Sequence, residues 1–279
     1  MSDSPPAPIP VLLYHAVMDD PPAWIAEFTV TPRDFAAHLD AVLASGRTPV
    51  TISTLTGRAT AADGPVPARS VPARPVVLTF DDGFADLPGP TAEALAVRSL
   101  PATAYLTTGA ITPGLTSLLP PAPMMTLARA PALERYGMEV GAHTVTHPQL
   151  DTLRPADLHR ELRDAKSALE DTLGHEVAHL AYPHGYNSRA VRRAAARAGY
   201  ASAAAVRHAH SSDRDETYRI SRLIVRRRHT AADVASWMAG GAAEGERART
   251  APFPDSPRTL GWRLYRGVRA RIRGPEFAG

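Results

Sequence analysis

Two adjacent carboxylates, Asp81 and Asp82, follow a run of apolar residues and precede a glycine, Gly83. The run at 75–80 is rich in β-branched residues, which predicts a buried strand. The glycine lets the chain turn away, so both carboxylates are expected at a strand end, where functional sites are commonly built. Neighbouring carboxylates repel each other when both are ionised, and a cation beside them relieves that repulsion. The alternative is a solvated Asp-Asp-Gly turn with no chemical role.

Two histidines four residues apart, His143 and His147, follow a second predicted strand at 138–142. A helical turn after that strand would place both imidazoles on one side, about one turn apart. Two histidines and a carboxylate from another strand end can form a metal site that leaves positions open for water and substrate. The chain contains no cysteine, so any metal must be held by histidine and carboxylate.

Three motifs, in this order and spacing, resemble those of the polysaccharide deacetylase family, also known as the NodB-homology or carbohydrate esterase family 4 enzymes. They are Thr79-Phe80-Asp81-Asp82-Gly83, His143-Thr144-Val145-Thr146-His147-Pro148 and Ala181-Tyr182-Pro183-His184-Gly185. The opening segment Ile9-Pro10-Val11-Leu12-Leu13-Tyr14-His15 resembles the branch that includes the poly-N-acetylglucosamine deacetylases. The resemblance covers about residues 9 to 240 and implies an α/β fold, an irregular (β/α) barrel rather than a closed eightfold one.

The resemblance also implies roles for individual residues. Asp81 is expected to be the general base, and His15 the general acid, because the N-terminal Tyr-His motif supplies the acid in that branch. Tyr182, with its backbone N–H, is expected to contribute to the oxyanion site. Zinc is the expected ion, with cobalt, nickel or iron as alternatives. The expected metal ligands are Asp82, His143 and His147.

The chain departs from the family pattern at two points. Many relatives carry an arginine shortly before the proline of the third motif, where it orients the base, and this chain has none there. Arg222 is a candidate for that role, with a surface ion pair as the alternative. The late Leu-x-Leu-His motif is also absent, which makes His15 necessary to the mechanism, although a buried histidine bonded to backbone remains the alternative. His184 is expected to line the cleft without binding metal.

These observations predict a metal-dependent hydrolase that removes N-acetyl groups from an amino sugar, oligosaccharide, polysaccharide or lipid-linked glycan. An O-acetyl esterase or a deformylase on the same scaffold is an alternative, because ester and amide pass through the same kind of tetrahedral intermediate. A non-catalytic carbohydrate-binding module is a further alternative, and it would be expected to lack a ligand or the base.

The elements that must position these residues alternate between strand and helix, which predicts a parallel sheet covered by helices with its site at the carboxyl ends of the strands. Strands are predicted at 11–14, 49–53, 75–80, 102–107, 138–142, 177–182, 201–206 and 220–225. Helices are predicted at 32–45, 91–98, 155–173, 189–198 and 231–238. An exposed loop is expected at 57–74 and an irregular insertion at 111–131.

The chain of 279 residues is predicted to form one domain over 1–240, followed by a linker and tail over 241–279. In the tail, Trp262, Tyr265, Val268 and Ile272 fall near one helical face with arginines around them. This pattern is typical of a basic amphipathic helix at a membrane surface. The alternative is a helix that packs on the barrel through Trp262 and Tyr265.

The charge pattern bears on partners and location. The net charge is +3, the basic residues are nearly all arginine, and charges of both signs are mixed along the body, which argues against a nucleic-acid partner. The first ten residues lack the pattern of a signal peptide and no run is long enough to span a membrane. The sequence therefore predicts a cytoplasmic protein with a carbohydrate substrate and peripheral contact with anionic membrane through its tail.

Overall fold

A single parallel sheet organises the molecule. The structure, a computed structural model, describes residues 8–57, 71–246 and 257–274. In these ranges the strands are β1 (Val11–Tyr14), β2 (Thr48–Pro49), β3 (Pro75–Phe80), β4 (Ala102–Leu106), β5 (Met138–Ala142), β6 (His179–Ala181), β7 (Ser202–Ala204) and β8 (Leu223–Ile224). Their order across the sheet is β7-β6-β5-β4-β3-β1-β8, and β2 pairs with β3 off this path.

The sheet curls into an irregular barrel. Every strand pair is parallel, and β1, the first strand in sequence, lies between β3 and β8. At the far edge, Ala204 of β7 forms a parallel bridge with Ile220, in the segment that leads into β8. The two edges of the sheet therefore approach each other, and the predicted irregular (β/α) barrel is confirmed.

Helices cover the outside of the sheet. Within the described residues they are α1 (Pro32–Ala44), α2 (Ile52–Leu55), α3 (Ala92–Ala96), α4 (Thr108–Ile111), α5 (Ala130–Arg135), α6 (Pro155–Leu173), α7 (Arg189–Arg197), α8 (Ala231–Met238) and α9 (Pro257–Arg273). The predicted caps are present: the Thr31 side chain accepts from the Asp34 N–H, and the Thr230 side chain accepts from the Asp233 N–H in a capping box. Helix α6 ends at Gly174, whose positive φ of 78° suits a glycine.

Three sequence-based predictions need correction. The strand predicted at 49–53 ends at Pro49, and Ile52 begins the short helix α2 because the Thr51 side chain caps it by accepting from the Thr54 N–H. The spacing of Phe35, Leu39, Val42 and Leu43 predicts one buried face on α1, but Leu43 is 46% exposed. The irregular insertion ends at Ala130, where α5 begins. Most of the loop predicted at 57–74 lies outside the described residues.

The base of the site is a rigid aromatic cluster. All six residues of β3 are buried, as expected for a central parallel strand covered on both faces. Tyr14 and Phe80, the last residues of β1 and β3, are paired in register and stack with ring centroids 5.3 Å apart. Phe35 of α1 packs edge-on against both rings. The residues that follow, His15 and Asp81, therefore start from fixed positions.

The C-terminal helix α9 lies against the turn Leu150–Thr152. Residues 247–256, which include most of the predicted linker, lie outside the described residues, and the domain boundary at residue 240 stays a prediction. None of the helices described is both long and apolar enough to cross a membrane.

Candidate metal centre and active site

The three motifs converge at the carboxyl ends of β3, β5 and β6. One ligand atom from each of Asp82, His143 and His147 lies within 4.8 Å of the others, and all three residues are buried. This group is the only one of its kind among the residues described. Asp81 adjoins it, with its Oδ2 3.7 Å from His143 Nε2.

The turn after β3 aims Asp82 at the histidines through an uncommon backbone conformation. Asp82 has a φ of 75° and Gly83 a φ of 93°, so the chain reverses sharply after Asp81. The Asp82 carbonyl accepts from the Thr107 N–H at 3.2 Å, which ties the turn to the end of β4. In the described residues, six non-glycine residues have positive φ, and Asp82, Thr144, His147 and His184 are four of them. Such conformations cluster at functional sites because the surrounding structure must hold them in place.

His143 is oriented by the next strand. Its Nδ1 lies 2.9 Å from the Ala181 carbonyl, so Nδ1 carries the hydrogen. The Nε2 atom of His143 then carries a free lone pair, and this atom lies 3.6 Å from Asp82 Oδ1. A backbone carbonyl that fixes the tautomer in this way is characteristic of metal-binding histidines.

His147 reaches the same carboxylate by a route that the sequence did not predict. The segment after β5 is not helical, because Thr144 and His147 both have positive φ, 68° and 63°. The Thr144 hydroxyl accepts from the His147 N–H at 3.1 Å and closes the turn. His147 Nε2 lies 3.4 Å from Asp82 Oδ1, and the two imidazole centroids are 4.9 Å apart.

Glu161 of α6 holds this loop, and sequence reasoning missed it. Its Oε2 accepts from the N–H groups of Val145 and Thr146, both at 2.9 Å, and its Oε1 accepts from the Thr146 hydroxyl at 2.7 Å. Glu161 lies outside the apolar face predicted for α6, and no neighbouring residue in the sequence indicated its role. Its partners lie 15 and 16 residues away, in a loop of irregular conformation.

Arg222 is paired with Asp81 in the interior. Its Nη1 lies 2.7 Å from Oδ1 and its Nη2 2.8 Å from Oδ2, a bidentate pair in which both side chains are buried. Nη1 also donates to the Thr79 hydroxyl and Nε to the Ala205 carbonyl. Burial opposes ionisation of Asp81, but the Arg222 charge outweighs it and the pKa of Asp81 is lowered. The surface ion pair considered for Arg222 is excluded by its burial.

Asp82 has the opposite electrostatic environment. Burial, followed by the charge of Asp81, raises its pKa well above the usual range. Its Oδ1 is buried, accepts no hydrogen bond, and faces two imidazole nitrogens. Burial also lowers the pKa of His143 and, more strongly, that of His147. Two neutral imidazoles around an uncompensated carboxylate oxygen match the donor set of a divalent cation.

His15 lies at the end of β1, next to Asp81. The Asp81 N–H donates to the Tyr14 carbonyl at 3.0 Å, so the two residues follow adjacent positions of paired strands. The His15 Nδ1 is buried and makes no hydrogen bond, which argues against the alternative of a histidine bonded to backbone. Burial lowers the pKa of His15 to about 4, against the opposing effect of Asp81.

The surroundings of Tyr182 do not support its predicted role in the oxyanion site. Its backbone N–H donates to the Ala204 carbonyl at 3.0 Å as part of the pairing between β6 and β7. Its hydroxyl donates to the Tyr218 carbonyl at 3.2 Å, and the side chain is fully buried in the core. Because this N–H is already used by the sheet, the predicted oxyanion role of Tyr182 is corrected.

His184 borders the candidate metal centre but is not one of the three residues that could hold the ion. Its ring centroid lies 4.7 Å from that of His147, and burial lowers its pKa to about 4. It has a φ of 55° inside the turn Pro183–Gly185. This position agrees with the prediction that His184 lines the cleft.

The comparison with known proteins agrees with this geometry. The model of the polysaccharide deacetylase family matches residues 68–203, which contain all three motifs. The resemblance to the polysaccharide deacetylase family is confirmed over this region, which is just under half of the chain.

Three relatives illustrate the likeness. YxkH of Bacillus subtilis (strain 168), which is named for the same family, is 24% identical over 195 residues, 70% of this chain and 63% of YxkH. The aligned region thus spans less than two thirds of that relative. The deacetylase PplD of Streptococcus pyogenes, solved in complex with acetate, matches 84% of this chain and 99% of its own at 24% identity and a TM-score of 0.71. IcaB of Ammonifex degensii matches 83% and 97% at 20% identity and a TM-score of 0.66. The two structural likenesses establish the fold.

Proposed function

We propose that this protein is a metal-dependent hydrolase that removes N-acetyl groups from an amino sugar, oligosaccharide, polysaccharide or lipid-linked glycan. The observation that carries the proposal is the buried group of Asp82, His143 and His147 beside an Asp81 that Arg222 keeps ionised. The match of residues 68–203 to the polysaccharide deacetylase family model supports the same reaction class. The opening motif at 9–15 and the likeness to IcaB support the poly-N-acetylglucosamine deacetylase-like branch.

Asp82, His143 and His147 would hold one divalent ion. We propose zinc, because two imidazoles and one carboxylate suit it, with cobalt, nickel or iron as alternatives. When bound, the ion activates water and polarises the acetyl carbonyl. The orphaned Asp82 Oδ1 and the fixed tautomer of His143 are the features of this chain that fit such an ion.

Asp81 would act as the general base. The bidentate contact with Arg222 holds its carboxylate in one orientation and lowers its pKa, so it is ionised and able to accept a proton from the attacking water. Arg222 acts through Asp81 and is a positioning residue in this scheme.

His15 would give the proton that the leaving nitrogen needs. The water oxygen forms a bond to the carbonyl carbon, the C–N bond breaks, and the products are acetic acid and the free amine, which become acetate and an ammonium group by proton exchange near pH 7. Because burial lowers the pKa of His15 to about 4, the imidazole is neutral at rest near pH 7. His15 would therefore have to acquire a proton during the reaction. The neighbouring Asp81, which accepts a proton from the attacking water in this scheme, would supply it.

The alternatives remain distinguishable. An O-acetyl esterase or a deformylase would use the same residues with a different leaving or acyl group. The non-catalytic binding module predicted a missing ligand or base, whereas both are present, and this supports an enzyme. The predicted cytoplasmic location and the absence of a nucleic-acid partner stay predictions.

The ligand set is tested by metal content. We expect purified protein to hold about one divalent ion per chain and His143→Ala to lose it, because three protein ligands are the minimum for a catalytic zinc. His159→Ala, an exposed histidine on α6, is the matched control and should keep the ion. Full occupancy in His143→Ala would overturn the assignment.

The reaction is tested by acetate release from N-acetylated and O-acetylated glycans and glycolipids, with formate measured from N-formyl analogues. We expect Asp81→Asn to keep its metal while turnover falls by roughly 100-fold or more, the contribution typical of a positioned base. Loss of metal in this variant would make Asp81 a ligand. Failure of metal-loaded protein to release acetate from every N-acetyl substrate would refute the proposed activity.

A further inference from the structure

Helix α9 is attached to the barrel by an arginine rather than by its apolar residues. The Arg266 guanidinium forms a bidentate pair with Asp151, at 2.7 and 2.6 Å, and also donates to the Gln149 side chain at 3.0 Å. It lies 3.5 Å from the ring centroid of Tyr186. The Arg266 side chain is 6% exposed, so this contact is a buried anchor.

The apolar residues of α9 face away from the barrel. Leu260, Leu264, Val268 and Ile272 recur every four residues and form one stripe, and they are between 50% and 77% exposed. Arg266 lies two positions from Leu264 and Val268, about 200° around the helix. Trp262 and Tyr265 are both more than half exposed and stack on each other, so Arg266 rather than these two rings is the buried contact of α9 with the barrel.

The charge on α9 indicates what covers this stripe. The helix carries arginines at 263, 266, 269, 271 and 273, and it has no aspartate or glutamate. Arg271 and Arg273 are exposed beside Ile272. An apolar stripe flanked by arginines, with an exposed Trp and Tyr, matches the boundary of an anionic bilayer, where arginine heads reach the phosphates and aromatic rings sit at the headgroup level.

The same helix borders the candidate active site. Trp262 Nε1 donates to the Tyr186 hydroxyl at 3.4 Å, and the Tyr186 ring lies 6.0 Å from that of His184. His184 in turn contacts His147, one of the three ligands, with ring centroids 4.7 Å apart. An unbroken series of contacts thus runs from the outward-facing helix to the metal centre.

We propose that α9 docks the protein on an anionic membrane and holds the rim of the active site there, so that the substrate is an amino sugar carried by a lipid. The part of this inference that concerns the substrate rests on the proposed deacetylation. The part that concerns docking rests on α9 alone. An amino sugar attached to a lipid stands at the headgroup level, where the rim formed by His184 and Tyr186 would meet it.

The docking surface is tested by the binding of two variants to vesicles. One substitution is at a valine in the exposed stripe of α9, and the other is at an exposed valine outside this helix. We expect co-sedimentation with vesicles of phosphatidylglycerol and phosphatidylcholine, and not with phosphatidylcholine alone, weakening as salt rises. Val268→Asp should weaken binding about tenfold or more, because it removes buried apolar surface and adds a repelled charge. Val97→Asp, at a valine 79% exposed on α3's C-terminal end, should have no effect.

Several outcomes would overturn the docking proposal. They are failure to bind anionic vesicles, equal binding by both variants, or a concentration-dependent dimer that Val268→Asp abolishes while vesicles are not bound. The last result would assign the stripe to a second copy of this chain. Circular dichroism of both variants establishes that they are folded.

The substrate class is tested with one sugar in two settings. We expect a hexadecyl N-acetylglucosaminide embedded in anionic vesicles to have a kcat/KM at least about tenfold above that of methyl N-acetylglucosaminide in solution, because docking raises the local concentration. Val268→Asp should reduce this ratio. Equal values for the two substrates would overturn the lipid-carried substrate while deacetylation stands. If vesicle-bound, metal-loaded protein hydrolyses neither, the proposed deacetylation fails and the docking result stands.

Discussion

Asp81 and Asp82 are neighbours in sequence, yet their partners separate them chemically. Asp81 has both oxygens paired with Arg222, and its pKa is lowered. Asp82 has a buried oxygen without a hydrogen bond, and its pKa is raised. The left-handed conformation of Asp82 produces this difference, because it turns one carboxylate toward Arg222 and the other toward the histidines. One residue is thus suited to accept a proton and the other to bind a cation.

Substitution of His15 should distinguish a proton donor from a structural residue. An amine leaves poorly unless it is protonated, whereas an activated aryl acetate has a good leaving group. We therefore expect His15→Ala to reduce hydrolysis of an N-acetyl substrate much more than hydrolysis of an aryl acetate, by on the order of 100-fold in the ratio of the two kcat/KM values. Metal content should not change. An equal loss on both substrates would indicate a structural role and direct attention to His184 as the acid.

At the scale of elements, the loop after β5 depends on α6. Glu161 accepts three hydrogen bonds from Val145 and Thr146, and so fixes the loop between the two histidines. We expect Glu161→Ala to weaken metal affinity by about 10- to 100-fold, the effect typical of a lost supporting contact. Competition with a chromogenic chelator measures it. Asp164→Ala, at an acid on the same helix whose side chain is 46% exposed, should leave the affinity unchanged, and an equal effect of the two would contradict the role of Glu161.

Asp86, a partly buried acid, joins the loops that follow β1 and β3. Asp86 Oδ2 accepts from the Val17 N–H at 3.1 Å and from the Thr91 hydroxyl at 2.6 Å, and burial raises the pKa of Asp86 to about 6. The native protein therefore holds this proton more tightly than the unfolded chain. The stability contributed by the protonated group is present at low pH and is lost as the pH rises through about 6.

Asp86→Asn should remove this dependence, since an amide does not titrate. We expect the free energy of unfolding of the variant, relative to the natural chain, to increase by about 2 kcal/mol between pH 4 and pH 7. Urea unfolding at several pH values measures the difference. A difference for Asp86→Asn that stays constant with pH would refute the prediction.

Local patterns predicted most of the elements and the convergence of the motifs, because strand periodicity and helix caps such as Thr31 and Thr230 act over a few residues. They did not predict contacts that depend on tertiary placement. The use of the Tyr182 N–H by β7 and the support of the histidine loop by Glu161 are two such cases. The positive φ of Thr144 and His147 was also beyond local rules, since neither residue favours that conformation alone.

At the scale of the whole molecule, a bound ion should contribute to folding stability. The proposed ligands follow β3 and β5, so an ion held between them would bind the native state and not the unfolded chain. With free zinc at 100 times its dissociation constant, we expect a contribution of about 2.7 kcal/mol to the free energy of unfolding. Thermal unfolding before and after removal of metal by EDTA measures it. His143→Ala should show no change with EDTA, and identical melting of the natural chain in both conditions would contradict the prediction.

The position of β1 between β3 and β8 has a kinetic consequence. Asp81 and Arg222 are 141 residues apart in the chain, and Arg222 comes into place only when the last strand pairs with the first. A nascent chain that has emerged only as far as residue 203 carries the three proposed ligands but not the arginine that keeps the base ionised. Contacts of such long sequence separation form late in folding. Hydrolytic competence should therefore arise in the final folding step, and an incompletely synthesised chain should be inert.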